Sequence, residues 1–150
     1  MAVILGMDPG ASTGVAHFLD GELVRLDTIG PHEIDRAIRE VMPARVVFED
    51  SRLQTHAWTA QAKAARGAAL ATARSLGQVD AWCRLISEIC GELGIPAHGI
   101  SPAGKGAKRN AEAFGIVTGW TRSSNQHERD AAMVAWPYRR AADLRGGRHA

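Results

Sequence analysis

The chain has 150 residues, of which 45% are hydrophobic, a length that suits one compact domain with a single core and is too short for two. Its apolar runs stay far below the roughly 18 residues that a membrane-spanning helix needs, and no basic-then-apolar signal segment opens it, so we expect a cytoplasmic protein with no membrane partner. Cys83 and Cys90 have a spacing that fits neither a CxxC metal pair nor a disulfide framework, and we interpret both as small core or interface residues.

Positive charge is concentrated in the last third of the chain. The net charge is +2, and 15 of the 18 basic residues are arginines, whose planar guanidinium groups suit bidentate phosphate contacts. The basic residues of this last third are Lys105, Lys108, Arg109, Arg122, Arg129, Arg139, Arg140, Arg145 and Arg148. This distribution suits a nucleic-acid partner, and a solvated basic surface without a partner fits it equally well. We expect the basic tail, residues 143–150, to be flexible.

The first thirty residues predict three strands joined by tight turns. Apolar runs at Val3–Asp8 and at residues 14–19 are followed by a third strand at residues 22–28. The Asp20-Gly21 dipeptide between the second and third runs is a strong hairpin-turn signal. Three strands in immediate succession predict an antiparallel meander, and hence a mixed sheet instead of an all-parallel one.

Helices and strands alternate in the remainder of the chain. Apolar residues at helical spacing predict a helix between Pro31 and Pro43, which the strand Arg45–Glu49 follows. The alanine-rich residues 52–75 fit either a helix or a mobile basic flap. The further predicted elements are a helix at 78–93, a strand at 96–101, a helix at 109–118, and a last helix at 126–142 capped by Ser124 or Asn125.

Acidic residues stand at the ends of two predicted strands and near the start of the last helix. Asp8 ends the first strand, Glu49 ends the fourth, and Asp130 lies one helical turn after His127. Carboxylates placed side by side repel one another unless cations bind between them, and Mg²⁺ is the natural partner. Such a cluster holds two ions about 4 Å apart for in-line hydrolysis of a phosphodiester. Each acid alone also fits a cap, a helix-dipole partner or an ordinary strand-end charge.

Four segments of the chain resemble the RuvC family of Holliday-junction resolvases, in particular its phage-type members. They read ILGMDPGASTGVAHF, VVFED, LGQVDAWCRLISEICGELGIPAHGISPAGKGAKRN and HERDAAMVA. The resemblance implies an α/β, ribonuclease-H-like fold with a five-stranded mixed sheet flanked by helices. It also implies a Mg²⁺-dependent endonuclease for branched DNA, with Mn²⁺ as a substitute, and Asp8, Glu49, His127 and Asp130 as catalytic metal ligands. His127 stands where the family has an aspartate or a histidine, so it either binds metal, which we favour, or orients water and phosphate.

The same resemblance assigns DNA contacts outside the carboxylate cluster. Lys105, Lys108 and Arg109 lie in the stretch SPAGKGAKRN, which looks like the family's basic loop, and Gly104 and Gly106 leave room for a phosphate backbone to approach. Trp58 is the one aromatic residue in the segment where the family inserts a ring into the junction, and it equally fits a core position. Asp50 follows Glu49 and points to the opposite face of a regular strand, so we interpret it as structural.

Three other functions fit parts of the sequence. The segment GMDPGASTG also looks like a phosphate loop of actin-like kinases, but 150 residues are too few for the two subdomains of that fold. A ribonuclease-H-like nuclease that acts on RNA or a hybrid is the second enzymatic alternative, although nothing in the sequence indicates recognition of a 2′-hydroxyl. A protein that binds branched DNA without cutting it is the non-enzymatic alternative, and the presence of all three acids argues against it.

The apolar stripe of residues 78–93 also bears on assembly. Paired cuts at a four-way junction require two sites related by two-fold symmetry, so together with the resemblance we expect a homodimer through this helix. The competing interpretation is that Trp82, Ile86 and Cys90 pack on the sheet of their own chain.

Overall fold

The computed structural model describes residues 2–54, 66–104 and 106–140. Within them five strands form one open sheet in the order β3-β2-β1-β4-β5. The strands are β1 Val3–Asp8, β2 Thr13–Leu19, β3 Glu22–Ile29, β4 Arg45–Glu49 and β5 Ala97–Ile100. The first three pair antiparallel, while β4 pairs parallel with both β1 and β5. The mixed α/β sheet that the sequence predicts is therefore confirmed.

Four α-helices of the described residues cover the two faces of this sheet. They are α1 Ile34–Val41, α2 Arg66–Leu93, α3 Ala111–Thr118 and α4 Gln126–Ala135. Short 3-10 turns occur at Pro31–Glu33, Ser51–Leu53, Pro102–Gly104 and Trp136–Tyr138. No described helix is both long and apolar enough to cross a bilayer.

The turn between β2 and β3 is the tight hairpin that its dipeptide predicts. Asp20 has φ 50° and Gly21 has φ 88°, so both central residues adopt the positive φ that a two-residue turn of this hand requires. Asp20 also exchanges hydrogen bonds with Ala2: its backbone N–H donates to the Ala2 carbonyl, and its carboxylate accepts from the Ala2 N–H. These bonds fix the hairpin turn beside the start of β1.

Three helix boundaries differ from the sequence prediction. α2 begins at Arg66, well before residue 78, so the described end of the 52–75 stretch is helical, while residues 55–65 lie outside the described part. α3 begins at Ala111, because the side chain of Asn110 caps it. α4 ends at Ala135 instead of residue 142, because Pro137 has no N–H to donate and the chain turns into a 3-10 segment there.

A hydrophobic core lies on each face of the sheet. On one face Leu5, Met7 and Phe48 pack with α1 and α2, including Ile86. On the other face Ile4, Phe18 and Phe114 pack with α3 and α4. Cys83 and Cys90 are buried in the first core, as the sequence predicts, and burial raises the pKa of the Cys90 thiol to about 11. The apolar stripe of α2 thus packs largely on its own sheet.

Candidate functional site

Helix α4 lies directly on the backbone of β1 and β2. A Cβ added at Gly6 would overlap the Ala131 carbonyl and lie 2.8 Å from the Ala135 Cβ, and one added at Gly14 would overlap the His127 carbonyl. The two glycines and the alanines of α4 leave no side chain between helix and sheet, so the backbones make contact. Since Gly14 pairs with Asp8 across the β1–β2 ladder, the first turn of α4 is fixed beside the end of β1.

Strand alternation places two of the predicted acids on the face that α4 covers. Ile4 belongs to the α4 core and Leu5 and Met7 to the opposite core, so Asp8 projects toward α4. The same alternation along β4 places Glu49 on this face, one position after the last β1–β4 register pair, Met7 with Phe48. The two carboxylates therefore end neighbouring parallel strands at the same edge of the sheet.

Side-chain contacts anchor the start of α4 at this edge. Asn125 caps the helix by accepting from the Glu128 N–H, and Glu128 accepts in return from the Asn125 N–H. The Asn125 amide also donates to Thr28 Oγ1 of β3 at 2.7 Å. Arg129 donates from Nε to the Arg109 carbonyl at 3.0 Å and so joins α4 to the loop that precedes α3. Hydrogen bonds thus hold this helix end on two sides.

The predicted acids and histidine line one open cleft. A concavity of about 530 Å³ is lined by Asp8, Pro9, Gly10, Ala11, Ser12, Glu49, Lys108, Gln126, His127 and Asp130. Asp130 is buried, and its Oδ1 accepts from Gln126 Nε2 at 2.8 Å. His127 is exposed. The fold therefore brings four residues from β1, β4 and α4 to the same cleft.

The donor set of this cleft fits a hard divalent cation. Three carboxylates and one imidazole suit Mg²⁺ or Mn²⁺ better than a soft metal. Among the described residues, no three His, Cys, Asp or Glu side chains are close enough together to hold a metal ion by themselves. Mg²⁺ keeps several waters and is commonly held by one or two carboxylates and substrate phosphates. The open cleft thus suits an ion whose shell is completed by water and phosphate.

Of the predicted DNA-contacting residues, the structure places one at the cleft. Lys108 lines it and is exposed. Arg109 is exposed too, but it lines a separate concavity next to Trp136 and Tyr138. Lys105 and Trp58 lie outside the described residues, and their assignments stay predictions.

The residues after Glu49 are fastened to helix α2. Asp50 is buried against Gly99 on the face opposite Glu49, as predicted, and accepts from Arg52 Nε and Nη2 at 2.8 Å each. Arg52 also donates to Ser87 of α2 at 3.2 Å, and Ser51 donates to Asp80 of α2 at 2.6 Å.

A further contact acts on Glu49 itself. The buried thiol of Cys83, on α2, donates to the Glu49 carbonyl at 3.5 Å. Together with the contacts of Ser51 and Arg52, it ties the backbone at Glu49 and the residues directly after it to a 28-residue helix.

Sequence reasoning missed two contributors to the cleft. Gln126 holds Asp130, and the four-residue separation that places both on one face of a helix was the available signal. Thr13 is fully buried and closes the 9–13 turn, since its hydroxyl donates to the Gly10 carbonyl at 2.9 Å and accepts from the Gly10 N–H at 3.3 Å. No sequence period marks that contact.

Comparison with known proteins gives a structural match and no sequence match. No family model and no curated protein matches the chain. The Thermus thermophilus RuvC in complex with a Holliday-junction substrate matches with a TM-score of 0.64 and 16% identity, over 98% of this chain and 97% of that one. A second Thermus thermophilus RuvC structure matches with a TM-score of 0.59 and 13% identity, over 97% and 96%. At these identities the likeness shows that this chain has the fold of RuvC.

Proposed function

We propose that this chain is a divalent-metal-dependent endonuclease of the RuvC type that cuts Holliday junctions or other branched DNA. One observation carries the proposal: Asp8, Glu49 and Asp130, contributed by three elements, line one open cleft with His127 and Lys108. Acids that serve only as caps or strand-end charges have no need to share a cleft. The shared RuvC fold supports the proposal, and the matching RuvC bound to a Holliday junction suggests the substrate class.

Each cleft residue has a chemical role in this proposal. Asp8, Glu49 and Asp130 would hold Mg²⁺ or Mn²⁺, and His127 would be a fourth ligand. Two bound ions would supply activation of the attacking water and stabilisation of the leaving oxygen. Gln126 keeps the Asp130 carboxylate in place through its amide, and Lys108 attracts the phosphate backbone that the acids would otherwise repel.

The test is cleavage of matched four-way, three-way, flap and linear DNA with Mg²⁺, comparing wild type with three variants. We expect Asp8→Asn, Glu49→Gln and Asp130→Asn each to abolish cleavage and to preserve or strengthen DNA binding, because lost negative charge relieves repulsion with phosphate. Glu40→Gln, at an exposed carboxylate on α1, is the matched control and should cut like wild type. Near-normal turnover of an acid variant at saturating Mg²⁺ would remove that residue from the site.

Two other outcomes would redirect the proposal. Wild-type binding of branched DNA without cleavage under Mg²⁺ or Mn²⁺ would favour a binding protein that keeps the fold. Faster cleavage of RNA or an RNA–DNA hybrid would favour the second enzymatic alternative. We further expect Mg²⁺ alone to bind weakly and more tightly once DNA is present, because no three described acidic, His or Cys side chains are close enough to hold an ion without phosphate. Calorimetric titration of the Asp8→Asn protein with Mg²⁺ alone gives the baseline.

We also propose that the protein acts as a homodimer through α2. The buried stripe residues Cys83, Ile86 and Cys90 are used by the chain's own core, so the partner would contact the flanking, partly exposed positions such as Trp82 and Leu85. The helix has 28 residues and is therefore about 42 Å long, which gives room for both contacts. Two identical sites would then serve the two strands that a resolvase cuts.

A further inference from the structure

A basic rim lies away from the cleft, toward the opposite end of the sheet. We define it by Arg122, which follows α3, and by Arg139 and Arg140, which follow α4. The cleft lies at the Asp8 end of β1, whereas the β2–β3 turn is bonded to Ala2 at the other end. The Arg140 side chain packs on Gly21 of that turn, and with Arg139 it lines a concavity of about 360 Å³. The rim and the cleft are thus separate sites.

Two guanidinium groups of the rim are held in place by tryptophans. The Arg139 guanidinium lies 3.8 Å from the Trp136 ring centre and donates to the Trp136 carbonyl at 2.9 Å. The Arg122 guanidinium lies 4.2 Å from the Trp120 ring centre and donates to the Val24 carbonyl of β3 at 3.0 Å. Stacking of this kind restricts a flexible side chain before any ligand arrives, which lowers the ordering cost of binding.

Arg122 contacts an aromatic ring and a backbone carbonyl, neither of which neutralises its positive charge. Among the described residues, no carboxylate is within ion-pair distance of Arg122 or Arg140. Glu22 lines the concavity, and Asp20 in the same turn accepts from the Ala2 N–H. Neither of these two acids is within ion-pair distance of Arg122 or Arg140, so both guanidinium groups keep their positive charge. An anionic ligand therefore fits the rim by charge.

The separation between cleft and rim sets the kind of anion that would use both. Helix α4 begins at the cleft with Gln126, and the chain that leaves it carries Arg139 and Arg140. Along β1, from Asp8 back to Ala2, the distance is about 20 Å at roughly 3.3 Å per residue. A DNA strand spans that distance in about six base pairs. Cations at the cleft and at the rim, about half a helical turn of DNA apart, match the phosphate backbone of a duplex. The distance between them is too large for one small anion to span.

We propose that the basic rim binds the phosphate backbone of a duplex arm whose branch point occupies the cleft. This inference rests on the proposed function and adds to it a contact at a defined distance along the arm. An arm that ends before the rim cannot reach it. The contribution of the rim to affinity therefore depends on arm length, whereas that of the cleft does not.

The test measures binding of four-way junctions whose arms are closed by tetraloops and contain about 4 or about 16 base pairs, lengths on either side of the six-pair distance. The Arg122→Gln, Arg140→Gln double variant is compared with wild type in Ca²⁺, which suppresses cleavage. With long arms we expect the variant to bind about tenfold more weakly, with a salt slope smaller by about 2, since two phosphate contacts are lost. With short arms the two proteins should bind equally.

Two control variants test whether the effect is specific to the charge of the rim. Arg36→Gln with Arg39→Gln removes the same charge from exposed positions on α1 and should match wild type at both arm lengths. Arg122→Lys with Arg140→Lys keeps the charge and should recover most of the long-arm affinity. Thermal unfolding of every variant shows whether it is folded.

Each remaining result counts against the inference. A rim variant that binds long arms like wild type, or that weakens short and long arms equally, overturns it and leaves the cleft proposal standing. Wild type that binds no junction at either arm length overturns the proposed function together with the inference.

Discussion

Arg52 neutralises a buried carboxylate directly behind the cleft, and Arg52→Gln tests how much that pair stabilises the fold. Asp50 is 4% exposed, and the guanidinium of Arg52 supplies two hydrogen bonds of 2.8 Å to it. The variant keeps the bond from the Arg52 backbone N–H, at 3.1 Å, but loses the positive charge. A buried carboxylate would then lack its cation.

The size of the effect follows from the exposure of the two partners. Removing one partner of a fully buried pair costs about 3–5 kcal/mol, and leaving a buried polar group unsatisfied costs about 1–3 kcal/mol. The Arg52 side chain is 34% exposed, so solvent screens part of the interaction. We therefore expect a loss of about 2 kcal/mol in the free energy of unfolding at pH 7. For a chain of this length that loss lowers Tm by about 4–8 °C.

The loss should depend on pH with a defined sign. Hydrogen bonding from Arg52 is the largest cause that holds the pKa of Asp50 below its ordinary value of 3.8. The ionised form is favoured by folding, so the stabilisation is fully present above about pH 4 and disappears as pH falls through the lowered pKa. The difference in stability between wild type and Arg52→Gln should accordingly shrink below about pH 4.

Urea unfolding at pH 7 and at about pH 3.5, just below the ordinary carboxyl pKa, measures both quantities. Arg36→Gln is the control, because Arg36 is 67% exposed in its pair with Glu33 and should cost no more than about 0.5 kcal/mol. An Arg52→Gln loss no larger than that of this control at pH 7 would show that the Arg52–Asp50 pair does not stabilise the fold. An Arg52→Gln loss of equal size at both pH values would refute the ionic explanation.

Three further predictions concern the loop, the helix contact and the assembly. Lys105→Ala with Lys108→Ala should weaken all branched DNA about uniformly and lower the salt slope of binding by about 2, whereas an unchanged slope would assign both to a solvated loop. Gly14→Ala should cost about 1–3 kcal/mol in urea unfolding and most of the cleavage rate, because its methyl meets the α4 backbone. The control Gly77→Ala, at a position with open space around it, should lower neither the free energy of unfolding nor the cleavage rate. Leu85→Glu should convert a sedimenting dimer into a monomer, and wild type that stays monomeric with a junction bound would contradict the dimer.

The strands and the two strand-end acids were predictable because their signals are local. A period of two along β1 and β4 places Asp8 and Glu49 on one face and Asp50 on the other, and the hairpin at Asp20 requires only two adjacent residues. Helix boundaries were less accurate. The apolar stripe from Val79 onward marks only the part of α2 that the core covers, and the exposed turns before it carry no such stripe.

The order of the elements and the type of residue at each strand end follow from the amino-acid sequence alone, because neighbouring residues encode both through periodicity and turn chemistry. Which side chains and backbone groups come into contact depends on tertiary packing. Gly6 admits the Ala131 backbone from far along the chain, and no local pattern reports that contact. The rim likewise depends on contacts of Arg140 with the β2–β3 turn and of Arg122 with Val24 of β3. Such long-range contacts depend on how helices pack on a sheet, so the cleft and the rim form only when the chain folds.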